Sequence, residues 1–312
     1  MSFAFVFPGQ GSQSVGMLGD FAAQREVRAA FEEASAALGY DLWALTQEGP
    51  VERLNATEYT QPAMLAAGVA LWRLWQARGG ADPAEVSGHS LGEFTALVCA
   101  GALTLTEAAD LVRFRGQAMQ EAVPAGTGAM AAILGLTDEQ VVSCCAEAAQ
   151  SQVVEAVNFN APGQVVIAGD SAAVERAIEA ARRAGAKRAM ALALSVPSHC
   201  SLMAPAARRL AGRLAQVRLA PPAIRYVSAV DAAAHSDPDD IRALLVRQLA
   251  SPVRWQDTVR ALVASGHAQL IECGPGKVLS GLNRRIEKRA DLACLALQDQ
   301  ATFDAALAAT RS

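Results

Sequence analysis

The sequence predicts an α/β fold with a parallel-sheet core and an inserted ferredoxin-like small subdomain, and three observations predict it. The first is Phe3-Ala4-Phe5-Val6-Phe7, an unbroken apolar run of the kind a strand shows when both faces are buried, closed by Pro8 and the loop Gly9-Gln10-Gly11-Ser12-Gln13. The second is Gly88-His89-Ser90-Leu91-Gly92, followed by helix formers. A G-x-S-x-G of this kind is the spacing at which strand turns tightly into helix, and it makes the core hydrolase-like. The third is a change of texture after Gly126. There the order reads strand (Ala129 to Leu134), helix (Thr137 to Ala149), strand (Val153 to Phe159), strand (Gln164 to Ala168), helix (Ser171 to Ala184), strand (Lys187 to Leu194), which is βαββαβ.

The remaining elements follow in order. Apolar periodicity predicts helices over Arg25 to Leu38, Pro62 to Trp75 and Leu105 to about Ala122, with only a short strand around Val86 before the glycine turn. Strand candidates resume at Ile224 to Val230 and Gln269 to Cys273. The βαββαβ unit, 126–197, therefore interrupts a larger domain made of 1–125 and 198–312, and a cleft is expected between the two.

Composition bounds the function. With 312 residues, 52% hydrophobic and 19% charged, the chain is long enough to bury a sizeable core. It holds no apolar run long enough to span a bilayer, and the stretch from Met1 to Phe7 lacks the regions of a secretory signal, so a cytoplasmic location is expected. The six cysteines form no C-x-x-C pair or finger spacing, which indicates neither zinc nor a disulfide framework. A formal net charge of −4 argues against nucleic acid as the main ligand.

Within that frame Ser90 is the candidate nucleophile, and the N–H groups beginning with Leu91 face any oxyanion formed on a carbon it attacks. A serine needs a base. Of the four histidines, His89 adjoins Ser90 and should point away from it, His235 sits in a polar turn, and His267 follows Gly266 in a capping or surface position. His199, in Pro197-Ser198-His199 where the chain leaves the inserted unit, remains. No acidic residue between Ser90 and His199 presents itself as a third member. Gly9-Gln10-Gly11 is not a dinucleotide loop, since Ser14 stands in the place of the third glycine, and Ile271 excludes a phosphate loop at Gly276-Lys277.

Phe7-Pro8-Gly9-Gln10-Gly11-Ser12-Gln13, Gly88 to Glu93, Arg115-Gly116, Asn158 to Gly163, Pro197-Ser198-His199 and Gly274-Pro275-Gly276-Lys277 together resemble the malonyl-CoA:acyl-carrier-protein transacylase family, in family order and over nearly the whole chain. The resemblance implies that Ser90 is acylated with His199 as its base, that the Gln10 and Leu91 N–H groups form the oxyanion hole, and that the Gln248 main-chain carbonyl takes the place of the missing acid. Arg115, otherwise an ordinary helix arginine like Arg113, would grip the substrate carboxylate through two parallel hydrogen bonds. Asn158 and Asn160 are further candidates for the cleft. The implied reaction carries malonyl from malonyl-CoA to the phosphopantetheine thiol of acyl carrier protein for fatty acid synthesis, with coenzyme A thioester as substrate, no cofactor and no metal. An acidic carrier would dock on Arg182-Arg183 with Lys187-Arg188, or on Arg284-Arg285 with Lys288-Arg289. A malonate decarboxylase transacylase subunit or a stand-alone polyketide acyltransferase would carry nearly the same motifs. A serine esterase or thioesterase would share Ser90 and His199, and a non-catalytic carrier-binding module would share the basic clusters alone.

Overall fold

The computed structural model describes residues 2–193 and 196–311. Ten strands organise it: β1 (Phe3–Phe7), β2 (Glu85–Gly88), β3 (Gly128–Leu134), β4 (Val154–Ala161), β5 (Gln164–Asp170), β6 (Arg188–Ala191), β7 (Arg225–Val227), β8 (Ala234–His235), β9 (Gln269–Glu272) and β10 (Ala293–Ala296). They form two sheets. The larger has the order β10-β9-β1-β2-β7-β8 and is parallel except for the β7–β8 pair. The smaller has the order β4-β5-β3-β6 and is antiparallel throughout, which with its two helices is the ferredoxin-like arrangement.

The apolar run of β1 is buried along its whole length because both faces of the large sheet are covered. One face packs on the helix Thr57–Ala77, where Phe5 lies 5.7 Å from Trp72 and 5.1 Å from Trp75, ring centroid to centroid. The other meets Trp255, Val259 and Leu262 of the helix Trp255–Ala264. The small sheet has a core of its own, in which Ile133, Val165 and Ile167 pack against Val141 and Val174 of the helices Asp138–Ala149 and Ser171–Arg183. The first of these helices is opened by a reciprocal cap between Thr137 and Gln140.

Several expectations are corrected by tertiary context. The helix read from Pro62 begins at Thr57, so Pro62 lies inside it without an N–H to donate. The short helices Leu42–Glu48 and Val51–Asn55, too brief for a periodic signal, precede it. The strand expected over Ile224 to Val230 pairs only over Arg225–Val227. β4 runs past Phe159 to Ala161 through two bulges. The last strand of the insert is Arg188–Ala191, and Leu194, where its end was placed, lies outside the described residues, as does Ser195.

The two sheets are joined where the cleft requires it. Phe159 N–H donates to the Val253 carbonyl at 3.0 Å and Val253 N–H to the Val157 carbonyl at 2.8 Å, which ties β4 to the segment just after Gln248. The carboxyl ends of β1, β2 and β9 open beside this junction, the usual place for a ligand crevice in an open parallel sheet. All six cysteines are buried and unpaired, and among the described residues no helix is long and apolar enough to cross a membrane.

The glycine turn is a contact between backbones. A Cβ on Gly88 would lie 1.9 Å from the Gly92 carbonyl carbon, and one on Gly92 would lie 2.0 Å from the Phe7 oxygen. Gly92→Ala is therefore expected to lower the unfolding free energy by roughly 3 kcal/mol, through overpacking against backbone that cannot yield. Gly212→Ala, within the helix Ala204–Leu214 with nothing within 4 Å, should instead raise it by about 0.5–1 kcal/mol. Urea unfolding of the two variants beside the wild type measures both, and equal effects would show that the turn has room to relax.

Candidate active site

Ser90 stands two residues past the end of β2 and holds φ +53°, a left-handed conformation that side-chain-bearing residues adopt rarely. Its side chain lines the cavity described below. Ser90 Oγ lies 2.8 Å from His199 Nε2. His199, itself at φ +69°, has its N–H bonded to the Leu249 carbonyl at 3.0 Å, and its Nδ1 lies 2.8 Å from the Gln248 main-chain oxygen. A carbonyl oxygen can only accept, so Nδ1 carries the proton and Nε2 is left free to accept from the serine.

Arg115 comes from the helix Leu105–Ala122 and is buried almost completely. Its Nη2 donates to Gln248 Oε1 at 2.9 Å and to Ser90 Oγ at 3.2 Å, and its Nη1 donates to Gln61 Oε1 at 2.9 Å. Its Nε is a buried donor with no partner among the described residues. Gln248 thus serves twice, because its Nε2 also donates to the Ser90 main-chain oxygen at 3.0 Å.

Ser90, Leu91, His199, Arg115 and Gln10 line one cavity of about 250 Å³, together with Gln61, Met119, Met130 and Asn158. Asn158 presents a buried Oδ1 without a partner. Asn160 does not line the cavity and bonds instead to His89 Nε2 at 2.8 Å. His235 shares its Nε2 with the Asp231 carboxylate at 3.2 Å, away from the cavity. His267 corrects the expectation of a capping or surface role. It is buried, 3.0 Å from Glu85 and 2.8 Å from the Ser2 hydroxyl, at the end of β2 opposite Ser90. Short range hid this, since Glu85 lies 182 residues away.

Sequence reasoning missed Gln61 and Glu93. Gln61 precedes Pro62 in a helix buried nearly all round, where no pattern marks one polar residue as special. The basic clusters are partly neutralised: Arg182 pairs with Glu179, Arg183 with Glu147 and Arg289 with Asp291. Lys288 and Arg289 also lie beyond the helix Val278–Ile286, not on it.

A neutral imidazole bonded to a serine hydroxyl, beside a buried cation and the N-terminus of the helix Gly92–Cys99, can carry out acyl transfer through an ester. The acyl transferase domain family matches residues 4–303. The malonyl CoA-acyl carrier protein transacylase of Salmonella typhimurium is 56% identical over 306 residues, covering 98% of each chain. The chain belongs to the malonyl-CoA:acyl-carrier-protein transacylase family. An acyl carrier protein S-malonyltransferase from Vibrio cholerae superposes with a TM-score of 0.95 at 57% identity, covering 98% of this chain and 100% of that one. A malonyl-transacylase solved in complex with its type II polyketide synthase acyl-carrier protein superposes at 0.97 with 53% identity, covering 99% and 100%.

Burial, reinforced by the Arg115 charge, holds the His199 imidazole down at about 3. In the unfolded chain the same ring takes up a proton below about 6.5. The folded state therefore loses stability from this group as pH falls from about 6.5 toward 3, and keeps it neutral above that window. In NMR titrations from pH 8 to 5, resolved in proportion to the folded fraction, the His199 Cε1–H resonance should stay at its neutral position. A midpoint near 6.5 would mean that water reaches the ring.

Proposed function

We propose that this transacylase moves malonyl from malonyl-CoA to the phosphopantetheine thiol of acyl carrier protein by way of an ester on Ser90, supplying cytoplasmic fatty acid synthesis. The observation that carries the reading is the buried guanidinium of Arg115, 3.2 Å from the Ser90 hydroxyl. A hydrolase needs no cation there, and a malonyl group is a thioester acyl chain that brings a carboxylate to meet one.

In the first half-reaction His199 Nε2 accepts the Ser90 proton as Oγ bonds to the thioester carbon. The oxygen of that carbonyl becomes an oxyanion facing the N–H groups of Leu91 and Gln10. Collapse breaks the carbon–sulfur bond, and coenzyme A leaves as the thiol with the proton from His199. The second half-reaction reverses these steps with the carrier thiol as attacking group, so the kinetics are ping-pong and the exchange of thioester for thioester runs near equilibrium. No step calls for a metal or redox cofactor.

Arg115 acts on the base as well as on the acyl group. Its charge contributes to the depressed basicity of His199. A malonyl carboxylate paired with the guanidinium offsets that charge, so the correct substrate raises the basicity of His199 as it binds. Acetyl-CoA, without a carboxylate, leaves the imidazole as it is.

Ser90→Ala should form no malonyl-enzyme: intact-protein mass spectrometry after brief exposure to malonyl-CoA shows the adduct on wild type and none on the variant. An adduct of equal yield on the variant would move the nucleophile elsewhere.

Arg115→Ala removes the carboxylate's partner, and malonyl transfer should lose roughly 2–5 kcal/mol in kcat/KM while acetyl transfer holds steady or improves. Arg115→Lys should recover little, since an ammonium lacks the paired geometry. The quantity to compare is the malonyl-to-acetyl ratio of kcat/KM. An equal fall in both would assign Arg115 to the fold or to coenzyme A.

A further inference from the structure

Glu93 lies buried beneath the glycine turn, three residues past Ser90, and no step of the acyl exchange touches it. Its carboxylate accepts from the Tyr226 hydroxyl, from Ala229 N–H at 2.7 Å and from the Ser228 hydroxyl at 3.3 Å. The Gln248 side chain also favours its charged form, and this is the amide whose Oε1 holds Arg115 at 2.9 Å. Glu93 and Arg115 are opposite charges buried on either side of one amide, and the carboxylate's field acts on the guanidinium.

We infer that Glu93 is a positioning residue for acyl selection, which rests on Arg115 taking the malonyl carboxylate as proposed above: it orients the Gln248 amide against Arg115 and, when ionised, competes with the substrate for the guanidinium. A buried guanidinium needs a counter-charge, and in the free enzyme Glu93 supplies one. Arrival of malonyl places two carboxylates against one cation in a pocket poor in water. Two like charges there are costly, and a proton on Glu93 relieves them.

Glu93 is able to take that proton near neutrality. Burial pushes its carboxyl up to about 7, even against the Tyr226, Ala229, Ser228 and Gln248 donors that favour the charged form. The groups around it do not change state in the same range. Burial lowers Arg115 only to about 10, so it stays charged. Tyr226 of β7 is pushed well above its ordinary value by burial and by Glu93, with Asp231 acting on it from beyond. His89 and His199, both lowered by burial, stay neutral. Below about pH 7 Glu93 is therefore neutral and leaves Arg115 to the substrate. Above it, Glu93 is ionised and shares the guanidinium.

The test is the rate of formation of the acyl-enzyme from malonyl-CoA and from acetyl-CoA, measured in single turnovers from about pH 6 to pH 9. In wild type the malonyl-to-acetyl preference should fall about tenfold across this range. Glu93→Gln should flatten the profile and exceed the wild-type preference at the alkaline end. Tyr226→Phe keeps the carboxylate but removes a donor to its charged form, so it should move the midpoint to higher pH. That variant carries the test alone if Glu93→Gln does not fold. A wild-type preference that does not vary with pH overturns the inference. So does a Glu93→Gln profile that follows wild type, a loss shared equally by both substrates at every pH, or a Tyr226→Phe midpoint that does not move. A wild type with no preference for malonyl at any pH would instead refute the assignment of Arg115.

Discussion

Gln248 is where Ser90, His199 and Arg115 are held in one geometry. Its main-chain oxygen takes the Nδ1 proton of His199, its side-chain oxygen takes Arg115, and its side-chain N–H grips the Ser90 carbonyl. The residue directly follows the helix Pro238–Arg247, where terminal carbonyls lack intrahelical partners and are free to accept. A helix end thus provides what an aspartate provides in a hydrolase triad. The difference is one of charge, since a neutral carbonyl orients the imidazole without adding an anion to the site.

The second sheet depends on the same segment. β4 is bonded to Val253, five residues past Gln248, so the wall of the cavity that carries Asn158 is fixed to the part of the chain that orients His199. Met130 of β3 and Ala193, just past β6, complete that wall. The four-stranded unit has its own apolar core, and it meets the larger domain through the backbone bonds at Val253, the bond from Asn160 to His89, and Ala161 packed in the cluster of Ala4 and Val6.

How much of this was legible depends on the range of the interactions. β1, the helices Arg25–Leu38 and Leu105–Ala122 and the order of the insert could be read, because each is written in the local period of its own residues. Ser90 was legible because two glycines make a backbone contact that no other residue allows. Gln248 was reached only through resemblance, since its hydrogen bonds span 133 to 158 residues to Arg115 and Ser90. His267 was misread for the same reason: its partners, Ser2 just before β1 and Glu85 of β2, are distant in sequence and only the assembled sheet brings them beside it. Nothing in the local sequence singles out Glu93 beyond its place in the Gly88 to Glu93 motif. A glutamate in the first turn of a helix is ordinary, and only Tyr226, Ser228 and Ala229, arriving from β7 and the loop after it, bury it.

Ser90 and His199, the two residues that share the 2.8 Å hydrogen bond, are both held at positive φ. Non-glycine residues in that region cost on the order of 1–3 kcal/mol each, and they persist only where the surroundings leave no alternative. Here the surroundings are Gly88 and Gly92 pressed against backbone on one side, and the Gln248 and Leu249 carbonyls on the other. The bond from serine to imidazole is therefore formed before any substrate arrives, and little reorganisation is left for the reaction itself. What distinguishes one acyl group from another is then the charge it brings. The buried guanidinium of Arg115 acts on the His199 imidazole on one side and feels the buried Glu93 carboxyl on the other, so an acyl group that brings a carboxylate meets a charge balance already set by the fold.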